Sequence, residues 1–318
     1  MLFRSEGEPM FAAYKKVAWL ARTHAVTSVP SAAALRTLRA LPPGKSSRDK
    51  LIAFGDPLFS KDQAVEAEKP VQVADASAST MRGMPLKRRS SPQLEGVDSA
   101  ELAMLPRLPD TADEVRSIAL ALNADPIKDV FTGREANERR VRSMDISNRK
   151  VVMFATHGLV PGDLNGLTQP ALALSAPNVA DIDGDGLLTL DEVLALKLNA
   201  DWVVLSACNT ATGDGAGAEA VSGLGRAFFY AGTRALLVSN WPVETTSARE
   251  LTSDLFRRQA QDSTLSRAEA MRQAMVGLID GPGYIDPDSR QAVFSYAHPI
   301  FWAPFSLVGD GGGAAPNN

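Results

Sequence analysis

Residues 150–160 read KVVMFATHGLV and residues 202–213 read WVVLSACNTATG. Each is a short run, apolar on both faces and rich in β-branched residues, that suits a strand of a parallel sheet covered by helices. Each breaks into small and polar residues and delivers one reactive side chain at its C-terminal end, His157 in the first and Cys208 in the second. Similar runs lie at residues 51–54, 171–174, 235–238 and 305–308. Helical periods fall between them. Thr111 and Glu114 form a capping-box pattern ahead of Val115, Ile118, Ala119 and Leu122. Val221, Leu224 and Phe228 share a face, with Gly232 as the stop. Ala248, Leu251 and Leu255 form another stripe, and Ser266 with Glu269 opens a helix through Met271, Met275 and Leu278. The alternation predicts a layered α/β/α domain with a mostly parallel central sheet. In such sheets catalysis gathers beyond the carboxyl ends of the strands, the edge on which His157 and Cys208 both fall.

Composition bounds the chemistry. The 318 residues suffice for a large core, and 45% apolar with 22% charged residues is ordinary for a globular protein. A net charge of −4 argues against a general nucleic-acid surface, and one cysteine excludes an internal disulfide. No apolar run approaches the ~20 residues that span a bilayer, and the first residues lack a continuous apolar stretch with a cleavage site. A cytoplasmic protein without membrane contact is the expectation. Residues 61–105 mix charge, Ser, Ala and Pro without apolar period and read as a low-order loop. It separates an N-terminal part, 1–60, from a core at 106–310, and 311–318 read as a flexible tail.

A thiol hydrolase needs a nucleophilic cysteine, a base that can protonate the leaving amine, and N–H groups for the oxyanion. An imidazolium beside the thiol lowers its pKa. Gly158, with no side chain, lets a substrate carbonyl approach the backbone after His157. Cys208 sits among Ser206, Ala207, Asn209 and Thr210, where a thiol is accessible. The pair lies 51 residues apart, close to the His–Cys spacing of caspases. Either residue alone reads more simply as a buried free thiol or a loop-capping histidine. His24 precedes no paired motif, and His298 is expected to begin the last strand.

LPDTADEVRSIALAL (108–122), VVMFATHGL (151–159), DGLLTLDEVLALKLNADWVVLSACNTATG (185–213), GLGRAFFYAGTRALLVSNWPV (223–243) and HPIFWAPFSLVGD (298–310), in this order, resemble a CHAT domain. THAVTSVPSAAALRTLR and KLIAFGDPLF, earlier in the chain, resemble the family's N-terminal blocks. These are bacterial caspase- and separase-like cysteine peptidases of clan CD. The resemblance implies a caspase-like three-layer α/β/α sandwich and a cysteine endopeptidase with His157 and Cys208 as its dyad. Gly158 and Cys208 then supply the oxyanion N–H groups, and no cofactor is required. Relatives often carry tetratricopeptide repeats, so a helical-repeat regulatory partner or domain is expected beside the protein or peptide substrate. The caspase Gln-Ala-Cys signature is missing, which argues against Asp specificity. The alternative is a catalytically silent caspase-like binding module in a bacterial signalling or defence system.

The resemblance also places SNWPVE (239–244) along the substrate cleft, with Asn240 and Trp241 as subsite walls and Glu244 as an acid for Arg or Lys at P1. DIDGDGLLTLDE (181–192) sets Asp181, Asp183, Asp185, Gly186, Thr189 and Glu192 at EF-hand positions, so a calcium site and a calcium-responsive loop are an expectation. Thr189 and Glu192 equally fit a capping box. Residues 213–225 are glycine-rich and read as an active-site loop. Lys87-Arg88-Arg89 reads as a solvated basic run.

Overall fold

The computed structural model describes residues 8–42, 44–69, 99–206, 216–241 and 243–312, with backbone alone at 99–100 and 216–222. Its strands are β1 (Asp49–Gly55), β2 (Val130–Thr132), β3 (Arg149–Ala155), β4 (Gly158–Leu159), β5 (Ala171–Ala173), β6 (Leu187–Thr189), β7 (Trp202–Leu205), β8 (Ala235–Ser239), β9 (Tyr284–Ile285), β10 (Ala292–Phe294) and β11 (Phe305–Gly309). Its helices are α1 (Ala32–Ala40), α2 (Lys61–Ala67), α3 (Ser99–Leu102), α4 (Asp110–Ala121), α5 (Glu138–Ser143), α6 (Pro177–Ala180), α7 (Leu190–Ala195), α8 (Ala216–Ala231), α9 (Thr245–Gln261), α10 (Arg267–Asp280) and α11 (Pro299–Trp302).

Six strands form the central sheet in the order β11-β8-β7-β3-β1-β2. All pairs are parallel except β11 with β8. Because side chains alternate along a strand, the sheet splits its apolar residues between two cores. Ala53, Met153, Val204 and Leu237 face α4, α9 and α10. Ile52, Phe54, Val152, Phe154, Val203 and Leu205 face the side of α5, α7 and α8, where Val141, Val193 and Phe228 meet them. The layers are therefore α/β/α. The apolar runs marked these strands because they are buried on both faces.

Beyond the C-terminal edge a third core gathers Leu58, Phe59, Leu102, Leu105, Leu159, Leu164, Leu167 and Ala173. It backs a small sheet of order β4-β5-β6, antiparallel throughout. Residues 171–174, expected in the main parallel sheet, belong here instead. A doubly buried strand reads the same in either setting.

Four further expectations change. Residues 61–105 are not uniformly loop, since α2 buries Ala64 and the residues after α3 bury Leu105. Thr111 and Glu114 form no capping box, because α4 starts after Pro109 with no side-chain cap. The glycine-rich segment is helical from Ala216 as the first turns of α8. His298 caps α11, its Nδ1 accepting from Ile300 N, and does not open a strand. Lys87-Arg88-Arg89 and the tail from residue 313 lie outside the described residues.

Candidate active site

The parallel strands β1, β3, β7 and β8 end on one edge, and the residues that follow them, Asp56, Thr156-His157, Ser206 and Asn240, line it. Strand β3 pairs with β7 from Val151↔Trp202 through Phe154↔Leu205, an offset of 51 residues, the same as the separation of His157 and Cys208. Cys208 itself lies outside the described residues.

His157 is buried, 7% exposed, with the Phe59 ring centroid 5.6 Å from its own. Its Nε2 lies 2.8 Å from the Pro106 carbonyl oxygen. A carbonyl can only accept, so Nε2 carries the proton and Nδ1 keeps a lone pair. Burial pushes the imidazole below its ordinary value of 6.5, while the Pro106 carbonyl opposes that more weakly. Burial thus favours the neutral imidazole, and the Pro106 carbonyl fixes its tautomer. The same burial disfavours an imidazolium. Pro106 was not legible beforehand, because a backbone carbonyl leaves no side-chain signature.

The chain around His157 is held firmly. The buried Thr156 hydroxyl donates to the Ala173 carbonyl at 2.5 Å, and Ala173 N donates to His157 O at 2.9 Å. That second bond makes His157 and Ala173 a hydrogen-bonded pair of the antiparallel ladder. The next pair, Gly158↔Leu172, is then of the other type, and the Gly158 N–H turns away from β5.

On the cysteine arm, Ser206 N donates to Phe154 O at 3.0 Å. The Ser206 hydroxyl reaches both oxygens of Glu114, at 2.9 and 3.2 Å, and Glu114 is fully buried. Thus Glu114, read as a cap from sequence, supports the last described residue before Cys208. Thr111 likewise accepts from Asp56 N at 2.7 Å.

The segment after β8 divides. Trp241, two residues after β8, is 37% exposed. Asn240 is turned to the sheet: its Nδ2 donates to Pro304 O at 2.9 Å and to Ser306 Oγ at 2.6 Å, bracing the start of β11. Glu244 is 4% exposed and caps α9, accepting from Thr246 N at 3.0 Å and Ser247 N at 2.8 Å. Its carboxylate answers the unpaired N–H groups of a helix start, so it supplies no ready acid for a basic P1 residue.

The acidic loop also commits carboxylates to local partners. Thr189 and Glu192 form the capping box of α7. Glu192 Oε1 meets Arg142 at 3.1 Å, and Arg142 also pairs with Glu138 at 2.8 Å. Asp185 Oδ1 accepts from Leu187 N, while Asp181 and Asp183 stand exposed. Among the described residues, no three His, Cys, Asp or Glu side chains converge closely enough to hold a metal ion. An arginine supplies the positive charge here, and α6 is too short to serve as an entering EF-hand helix.

No helix among the described residues is long and apolar enough to cross a membrane. Among curated proteins, the chain is similar to tetratricopeptide repeat protein 28 of Mus musculus, 24% identical over 231 residues. That match covers 64% of this chain and 8% of the relative's length. The CHAT domain profile matches residues 7–310, nearly end to end. The chain belongs to the CHAT domain family, within the caspase-like peptidase clan.

Proposed function

We propose that the chain is a cysteine endopeptidase that uses Cys208 as nucleophile and His157 as base. The observation that carries this reading is the 51-residue register of β3 against β7, which equals the His157–Cys208 separation. Neighbouring strands run ~4.8 Å apart, so their successor residues are drawn to one rim. With the Nε2 proton engaged by Pro106, Nδ1 is the atom that receives the thiol proton. Sγ attacks the peptide carbonyl carbon, and the Gly158 and Cys208 N–H groups meet the oxyanion. The tetrahedral adduct collapses as His157 returns the proton to the leaving amine, giving a thioester. Water, deprotonated by the same Nδ1, then hydrolyses the thioester to the carboxylic acid and regenerates the thiol. Trp241 is the wall for a substrate side chain. The likeness to a tetratricopeptide repeat protein supports a helical-repeat partner or domain as regulator.

The test is cleavage of a mixed peptide library by wild type, Cys208→Ala and His157→Ala. Wild type should cleave and both variants should not, because no second thiol exists to substitute. Cleavage retained by Cys208→Ala, or full turnover by His157→Ala, rejects the peptidase. A wild type that neither cleaves nor alkylates faster than free cysteine is the silent binding module.

A further inference from the structure

We infer that Arg107 and Asp56 form a clamp that positions the His157 base by fixing the direction of the Pro106 carbonyl. The inference rests on His157 being the base of the proposed peptidase. Asp56 follows β1 with a left-handed φ of 47°, a backbone state that Asp tolerates better than most residues. That turn presents its carboxylate to Arg107 in a two-pronged pair, Nε to Oδ1 at 2.9 Å and Nη2 to Oδ2 at 2.7 Å. The side chains are 7% and 20% exposed.

The geometry links this pair to the base through one peptide unit. Proline locks its own φ, so only ψ of Pro106 can swing the carbonyl that His157 binds. That carbonyl shares its peptide plane with the N of Arg107, and Arg107 is tied to Asp56. The flanks are tied as well. Leu105 O accepts from Gln63 Nε2 at 2.8 Å, and the Thr111 hydroxyl accepts from Asp56 N while donating to Leu108 O at 2.7 Å. Asp56 and Thr156 follow β1 and β3, which pair as far as Gly55↔Ala155, so the clamp is built on the strand next to the base's own.

A plain stabilising role is the poorer account of this pair. Burial is the largest influence on the Asp56 carboxyl and leaves it raised despite the pull of Arg107, with Asp110 adding to the rise and Arg116 opposing it. The Arg107 guanidinium is in turn held charged by its hydrogen bond to Asp56, so the pair is formed but its burial offsets much of its gain. Such desolvated pairs contribute little net stability, whereas their fixed fork specifies geometry.

The test reads the imidazole directly in the full chain. Only three histidines are present, so 15N-labelled His157 can be resolved by NMR. In wild type it should show the Nε2–H tautomer at neutral pH. Arg107→Gln and Asp56→Asn should turn it into a mixture of tautomers. On the library peptide cleaved fastest, kcat should fall about tenfold or more with KM within about twofold, since small misplacement of a catalytic group costs up to ~10²-fold. Arg107→Lys, which keeps the charge but not the fork, should fall between. If the glutamine and asparagine variants fail to fold, Arg107→Lys decides alone. A folded variant with tautomer and kcat unchanged overturns the clamp, as does a wild-type His157 without the Nε2 proton. A wild type that cleaves nothing removes the peptidase, while the tautomer still answers for the clamp.

Discussion

Replacing Ser175 with alanine should cost more than any exposed hydroxyl in the chain. Ser175 is fully buried just past β5, and its hydroxyl accepts from Leu58 N at 2.8 Å and donates to Gly133 O at 2.8 Å. Leu58 follows β1 and Gly133 follows β2, so one oxygen joins the exits of two main-sheet strands to the small sheet. Alanine keeps the backbone, whose Ser175 N still donates to Ala136 O. It leaves a buried N–H and a buried C=O without this partner. Each orphaned group costs about 1–3 kcal/mol, the carbonyl toward the low end because it has two lone pairs, giving about 2–4 kcal/mol in total. At roughly 2 °C per kcal/mol for a chain this long, the melting temperature should drop by about 4–8 °C. Scanning calorimetry against wild type and Thr264→Ala, an exposed hydroxyl on Asp262, is the assay. Thr264→Ala should stay within about 0.5 kcal/mol of wild type. A Ser175→Ala drop below 1 °C would mean that something other than this hydroxyl joins the two sheets, and the reasoning fails.

The remaining expectations concern carboxylates. Glu244→Ala should destabilise by about 1 kcal/mol through loss of the α9 cap, and Glu244→Gln by less, with the P1 profile of cleavage unchanged in both. A preference for Arg or Lys at P1 that vanishes in Glu244→Gln would instead put that carboxylate on the substrate. Millimolar calcium should leave the wild-type melting temperature within 1 °C, because Arg142 engages Glu192 and Glu138. A rise that disappears in the double variant Asp181→Ala with Asp183→Ala would show the loop to be a calcium site.

Five of the six central-sheet strands were legible because burial leaves an unbroken apolar run, as at residues 151–155 and 203–205, whereas β2, half-buried along Val130–Thr132, left none. The placement of His157 followed from the same signal, since the run ends there. Partner identity was less legible. Residues 171–174 carry the same apolar signature in an antiparallel ladder as in a parallel one. Helix α2 escaped notice because only Ala64 of its seven residues is buried. Thr111, Glu114 and Glu244 are residues that cap helices or hydrogen-bond across layers equally well, and only the packing decides which. Asp56 with Arg107 pairs across 51 residues, and the Pro106 carbonyl has no side chain at all, so neither had a local pattern to betray it.

The matched register of β3 and β7 has a consequence for which changes in length the chain tolerates. Deleting one residue inside β7 would move everything after it by about 3.3 Å and turn it to the opposite face of the sheet, parting nucleophile from base. The exposed turn at residues 287–291, between β9 and β10, bears no such constraint. Insertions there should accumulate freely among working sequences, while none should be found between residues 151 and 155 or between 202 and 205.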